Sequence, residues 1–303
     1  MAAHSDIVRQ DLKTQRRLTL PSVAVIFLFG LVPLLIVMAY SFMKPAVYGG
    51  VEPELSLEAY VSFLFQRDLF DDTLVFSADY LLIFLRTALF AMVATLTCLL
   101  IGFPTAYYMA TRPESQRNRW VLLITIPFWS NLLVRTIAIL FIIRDDGPIN
   151  AGLMALGIID APLPILFSNT AIVAGLFYSF LPFMILPIYS TLEKMDESLL
   201  EAAIDLGCNR ISAFWLVTVP LALPGIIAGC FLVFIPAVGE FVIPDLLGGT
   251  QTLMIGKTLW KEFFSNRDWP VASAVAIVLL LLLVVPILIF QRLLERQQEA
   301  EAR

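Results

Sequence analysis

The 303-residue chain is 59% hydrophobic and only 15% charged, with a mean hydropathy of +0.85. Ordinary soluble domains are about 45–50% apolar, and one soluble core of this size cannot hide so much apolar surface. The chain reads as a membrane protein; disordered, collagen-like and disulfide-scaffold classes fail on the same figures. A net charge of −5, an isoelectric point near 5.0 and the lack of a basic stripe argue against a nucleic-acid partner.

The tail 1–19 holds the only histidine, His4. No catalytic or metal constellation that needs histidine at membrane depth can form, and no metal site is expected. A span needs roughly 20 mostly apolar residues. Six stretches are expected to cross: 20–43, 80–110, 120–143, 170–192, 217–239 and 271–290. The first exceeds the roughly 7–15-residue apolar region of a signal peptide and has no small-residue cleavage site after it, so it is expected to stay as an anchor. Within 44–79, Leu57, Tyr60, Val61 and Leu64 share one helical face, which predicts a short interfacial helix over 56–65 behind a Ser56 cap. Cys98, Cys208 and Cys230 lie far apart and read as buried small hydrophobes. The expected fold class is all-α and polytopic.

Lysine and arginine density sets the expected orientation. Segments 1–19, 111–119, 193–216 and 291–303 carry 12 such residues over 65 positions, against 6 over 93 in segments 44–79, 144–169 and 240–270. The first set should face the cytoplasm, with both tails, 1–19 and 291–303, inside and a six-span domain over 20–290.

The loop 193–216 is the most informative segment. Ser198 and Glu201 have the spacing of a capping box, and Gly207 suits a left-handed stop. Leu199, Ala203 and Leu206 fall on one side, with Leu200 and Ile204 adjacent, so the helix between is apolar on one face. Packing on its own bundle and docking a partner are both open to such a helix. Glu201, Ala202 and Ala203, then Gly207, then Val217 to Pro220 resemble the Glu-Ala-Ala loop of ABC-importer permeases, with Val217 and Val219 in place of the usual isoleucine and leucine. Residues 157–172, 231–249 (FLVFIPAVGEFVIPDLLGG) and 263–277 (FFSNRDWPVASAVAI) are similar to permeases of the polyamine (putrescine/spermidine) transport family, most of all to the first permease of putrescine systems. The resemblance runs from the first span to the sixth.

That resemblance implies a type I ABC-importer permease. Its ATPase-coupling residues would be Glu201, Ala202, Ala203, Asp205, Gly207 and Pro220. The implied partners are a second permease, two ATPase subunits and a periplasmic polyamine-binding protein, in a bacterial inner membrane. ATP and Mg would bind the ATPase partner, with no cofactor in this chain and no enzyme activity of its own. Gly256-Lys257-Thr258 mimics the end of a phosphate loop, but Gln251 stands where the first glycine is required.

Ionisable groups at membrane depth are costly and few. Arg86 sits near the outer end of the second span and Arg135 lies inside the third. Glu240 closes the fifth span, with Asp245 five residues on. Glu240 can either neutralise an arginine or, with Asp245, attract a dication at the outer mouth. Trp129, Tyr178, Phe177 and Phe241 can hold an amine by cation–π attraction or serve as packing. The outer segment 44–79, with seven acids and two bases, can guide a cation or a receptor. Prolines 33, 104, 127, 182, 187, 236 and 286 interrupt spans; Pro182, Pro187 and Pro236 are hinge candidates. Gly225 and Gly229 suit a close helix contact. An intramembrane hydrolase is disfavoured, because no histidine, lysine or aspartate lies within the six intervals. An ion-driven carrier or channel would lack deep carboxylates and leave the 193–216 loop unexplained.

Overall fold

The computed structural model describes residues 19–67, 73–250 and 252–301. In chain order it contains α1 (Thr19–Tyr40), the hairpin β1 (Met43–Pro45) and β2 (Val51–Leu55), α2 (Glu58–Val61), and the hairpin β3 (Phe65–Arg67) and β4 (Leu74–Phe76). Then follow α3 (Asp79–Ala110), α4 (Glu114–Thr125), a 3-10 turn (Ile126–Trp129), α5 (Leu132–Ile143), α6 (Pro148–Ala155) and α7 (Asn169–Leu192). The last elements are α8 (Glu197–Asp205), α9 (Arg210–Gly239), α10 (Val242–Leu247), α11 (Ile255–Trp260) and α12 (Trp269–Glu301).

Two compact units form: residues 1–78 with 259–303, and residues 79–258. In the first, α1 packs along α12, with Tyr40 stacked on Trp269 at 6.2 Å between ring centroids. The segment 44–79 departs from the all-α expectation. Lys44 pairs in register with Glu52 and Phe65 with Phe76, giving two small antiparallel hairpins. The helix expected over 56–65 is only the single turn α2. Ser56 Oγ accepts from Glu58 N at 3.1 Å, but the N-cap position is Leu57 and not the expected Ser56, and strand pairing takes the chain from Phe65 on.

The second unit is built on α3, α7 and α9. Ala94, Cys98 and Ala106 of α3 are buried with Ile172, Leu176, Met184 and Ile188 of α7 and Ala222 and Val233 of α9. Small residues permit this approach, as helices that meet in lipid gain mainly from close van der Waals packing. A Cβ on Gly225 would lie 2.5 Å from Thr191 Oγ1 and 2.7 Å from the Pro187 carbonyl, so α9 touches α7 with no room for a side chain. Thr87 Oγ1 accepts from Ile255 N at 2.8 Å, tying the start of α11 to α3.

Among the described residues, four helices, α1, α3, α7 and α9, are long and apolar enough to cross a membrane, and the bent pair 114–129 and 132–155 makes a fifth if it is one span. The expected third span, 120–143, is therefore not one helix. It bends by 92° where Pro127 ends α4 in a 3-10 turn and Asn131 restarts the chain, its Oδ1 accepting from Leu133 N at 2.8 Å. The expected span 271–290 lies in α12, whose apolar part, Trp269–Val285, is shorter than the other spans. Helix α9 begins before the expected 217. Pro220 has no N–H for the Leu216 carbonyl, and the helix widens into a π turn over Phe214–Thr218, with Val219 N reaching Phe214 O.

Candidate functional site

At the expected coupling loop, α8 is capped by Asp196, not by the Ser198 of the capping-box spacing. Asp196 Oδ1 accepts from Ser198 N at 2.9 Å, and this N–H together with the Ser198 side chain holds its carboxyl below the usual aspartate range. Ser198 is already inside the helix, so Glu201 is too far along to close the box. The far end follows the expectation. Gly207 has φ +94°, Gly207 N donates to Ile204 O at 2.9 Å and Cys208 N to Ala203 O at 3.0 Å, the paired bonds of a Schellman stop.

Leu200 and Ala203 are half-buried, whereas Glu201, Ala202, Ile204, Asp205, Leu206 and Gly207 are exposed. Leu206 is 87% exposed, and Ile211, Trp215 and Leu216 at the start of α9 are exposed as well. The short helix therefore presents a mixed apolar and acidic face outward. Pro220 is exposed within α9. Behind α8 lies a cavity of about 320 Å³ lined by Tyr107, Thr111, Arg117, Glu193, Leu200 and Glu201. Glu193 accepts from Tyr189 Oη at 2.6 Å and lies 3.9 Å from Arg117 of α4.

The path candidates are dispersed. Glu240 is half-buried at the end of α9, where its Oε1 accepts from Val242 N (2.9 Å) and Ile243 N (3.4 Å) and so caps α10. These partners are backbone amides of α10. Asp245 pairs with Lys257 at 3.2 Å, which offsets its charge. The mock phosphate-loop residues lie in α11, where Gly256 allows the chain within Cβ distance of the Glu240 carbonyl.

Trp129 is 86% exposed at the bend and Tyr178 is 45% exposed on α7. Phe177 lines an apolar groove of about 500 Å³ with Leu89, Val93 and Thr97 of α3, and Phe241 is half-buried between α9 and α10. The aromatic cluster at the bend is built by Phe128, Phe180 and Phe183, with Phe128 edge-on to Phe183 at 5.0 Å. Nothing in the spacing of the sequence marks these phenylalanines, on two different elements, as neighbours.

Arg135 also takes a role that spacing could not show. It is 9% exposed, its Nη1 donates to the Ser179 carbonyl at 3.4 Å, and its guanidinium lies 5.9 Å from the Phe128 ring centre. Arg135 Nε and Ser179 Oγ are both buried without a hydrogen-bond partner. Among the described residues, no group of three or more His, Cys, Asp or Glu side chains could hold a metal.

Residues 102–299 match the family described as the binding-protein-dependent transport system inner membrane component. The chain belongs to that family. It is 37% identical over 277 residues to the spermidine/putrescine transport system permease protein PotB of Escherichia coli, covering 90% of this chain and 96% of the relative. The PotB of Haemophilus influenzae is 39% identical over 287 residues, covering 92% and 96%. The inner membrane ABC transporter permease protein YdcU of Escherichia coli is 31% identical over 223 residues, covering 70% and 71%. A bacterial ABC transporter involved in import of the acidic polysaccharide alginate shares the fold, with a TM-score of 0.67 at 15% identity over 98% of this chain and 99% of that one. The chain is thus an inner-membrane permease subunit of an ABC importer, and its relatives are permeases, not enzymes.

Proposed function

We propose that the solute is a polyamine, with putrescine preferred. The observation that carries this reading is the 37–39% identity to spermidine/putrescine permeases over about nine-tenths of the chain. The subunit works beside a second permease, takes substrate from a periplasmic polyamine-binding protein, and is driven by two ATPase subunits that hold ATP and Mg. Both tails lie in the cytoplasm. The exposed face of α8, with Glu201, Ala202 and Asp205, docks on an ATPase, and Gly207 keeps that helix short. ATP-driven closure moves α8 and re-aims the spans, so access alternates between the two sides. Glu240 and the aromatics Trp129, Tyr178, Phe177 and Phe241 offset the dication's charge along the path, since a naked charge there is prohibitively costly. Asp245 contributes once Lys257 has released it.

The test is uptake of labelled putrescine by the four-component complex in proteoliposomes, with unlabelled spermidine as competitor. ATP-dependent putrescine accumulation that excess spermidine inhibits only weakly is expected. Uptake of neither amine would overturn the reading; equal uptake of both would remove the putrescine preference.

A further inference from the structure

The two limbs of the bent pair each place one arginine on α7. Arg117, in the first turn of α4, lies 3.9 Å from Glu193 at the end of α7. Arg135, in the first turn of α5, donates to the Ser179 carbonyl in the middle of α7. The two grips are fourteen residues apart, about 21 Å along the axis at 1.5 Å per residue. Pro182 and Pro187 lie between them. Each proline withholds an N–H from the carbonyl four residues back, so this is the part of α7 with the weakest ladder. Only Glu193 to Asp196 separate α7 from α8.

The contact at Ser179 is under-satisfied. A guanidinium nine-tenths buried makes one long hydrogen bond and leaves Nε unpaired beside an unpaired Ser179 Oγ. Buried donors without partners cost free energy, so a position of Arg135 with fuller bonding would be favoured over this one. The limbs meet at Ile126–Asn131, where the backbone leaves the α-helix and Trp129, Ser130 and Asn131 are exposed. Non-helical backbone at membrane depth survives only against protein or a water-filled path.

We propose that the bent pair is a brace: Arg117 and Arg135 grip α7 on either side of its proline segment, so that movement of α8 changes the angle at Trp129. Arg117 and Arg135 are then positioning residues that link the ATPase side to the solute path. When α8 is drawn toward its partner, α7 flexes at Pro182–Pro187. The Glu193 end carries α4 with it while Ser179 holds α5, and the bend between them opens or closes. The brace rests on the importer reading above, and a two-state element biased from both ends is what such coupling requires.

The experiment uses the assembled importer with spin labels at Asn118 and Ile137, one on each limb, on a background with the native cysteines replaced. The label distance should differ by about 2 Å or more between nucleotide-free and ATP-trapped complexes, and R117Q should abolish that difference. Uptake per ATP hydrolysed should fall about fivefold or more in R117Q and in R135Q, with the double variant no worse than either single. R117K and R135K should restore most of it. A constant distance in the unmutated complex overturns the brace, as does a full distance change in R117Q. The distance needs no solute, so failure of the polyamine reading is seen separately, as absent amine uptake with the distance change intact. Arg117 is half-buried at the rim of the cavity behind α8, less enclosed than Arg135, so its variant decides the matter even where R135Q assembles poorly.

Discussion

Gly207 holds φ +94°, and a Cβ there would meet nothing within 4 Å. Its requirement is therefore backbone conformation, not space. An L-residue in that region costs about 1–2 kcal/mol, while asparagine tolerates it better. Gly207→Leu should lower ATP-coupled uptake severalfold with the subunit still in the membrane, and Gly207→Asn should keep most of it; equal uptake for both would deny the stop a role in docking. At Glu240 the side chain's charge matters. Glutamine retains the Oε1 acceptor that caps α10, so Glu240→Gln should assemble normally. Loss of about 1.4 kcal/mol of attraction for a dication is tenfold in apparent affinity. Polyamine uptake should weaken by about that factor, and much less in Glu52→Gln within the outer hairpin. Normal kinetics with normal complex yield would take Glu240 out of the path.

Among elements, the helix-to-helix contact of α7 with α9 gives the sharpest packing test. A methyl on Gly225 meets the Pro187 backbone, which cannot swing aside, and overpacking of this kind costs about 1–3 kcal/mol. Gly225→Ala should lower the melting temperature and yield of the purified subunit. Gly30→Ala, where a Cβ meets nothing within 4 Å, should leave both unchanged. The α8 cap has a pH signature. The Asp196 carboxyl is held below its unfolded value, so its contribution is present above pH 4 and lost as pH falls through the lowered folded value. Acid should loosen α8 in hydrogen exchange, and Asp196→Asn, which keeps an acceptor without the titration, should remove that pH dependence. Sequence and structure part ways for physical reasons here. Gly207 is legible because few residues accept its conformation. The cap is displaced because Asp196 and Ser198 both suit the role and only backbone geometry chooses. The bend at Ile126–Asn131 is invisible to hydropathy, because the apolar run continues through it. Prolines 104, 182, 187 and 236 stay inside helices, whereas Pro127 is followed by Asn131, whose side chain starts a new helix. The Arg135–Ser179 contact joins elements 44 residues apart, beyond the reach of any local pattern.

For the whole molecule, the bend becomes a question of parity. The positive-charge asymmetry, 12 over 65 residues against 6 over 93, would put both 111–119 and 193–216 in the cytoplasm. Between those segments lie only the bent pair and α7. Helix α7, 24 residues long, is long and apolar enough to cross by itself. Two segments can share a side only if an even number of crossings separates them, so that orientation requires the bent pair to cross as well, despite its 92° angle. A re-entrant pair would put α8 outside, away from ATP. The charge in between agrees, since 144–169 holds a single arginine in 26 residues and no lysine. Cysteines placed at Gln116 and Asn209 should therefore react with an impermeant maleimide only from the cytoplasmic side, and cysteines at Asp160 and Asn266 only from outside. Asp72, which the charge pattern also places outside, lies beyond the described residues. Asp160 is the deciding position: cytoplasmic reactivity there, with Asn209 still cytoplasmic, cannot be reconciled with α7 crossing the membrane and would overturn the assignment of spans between 114 and 192.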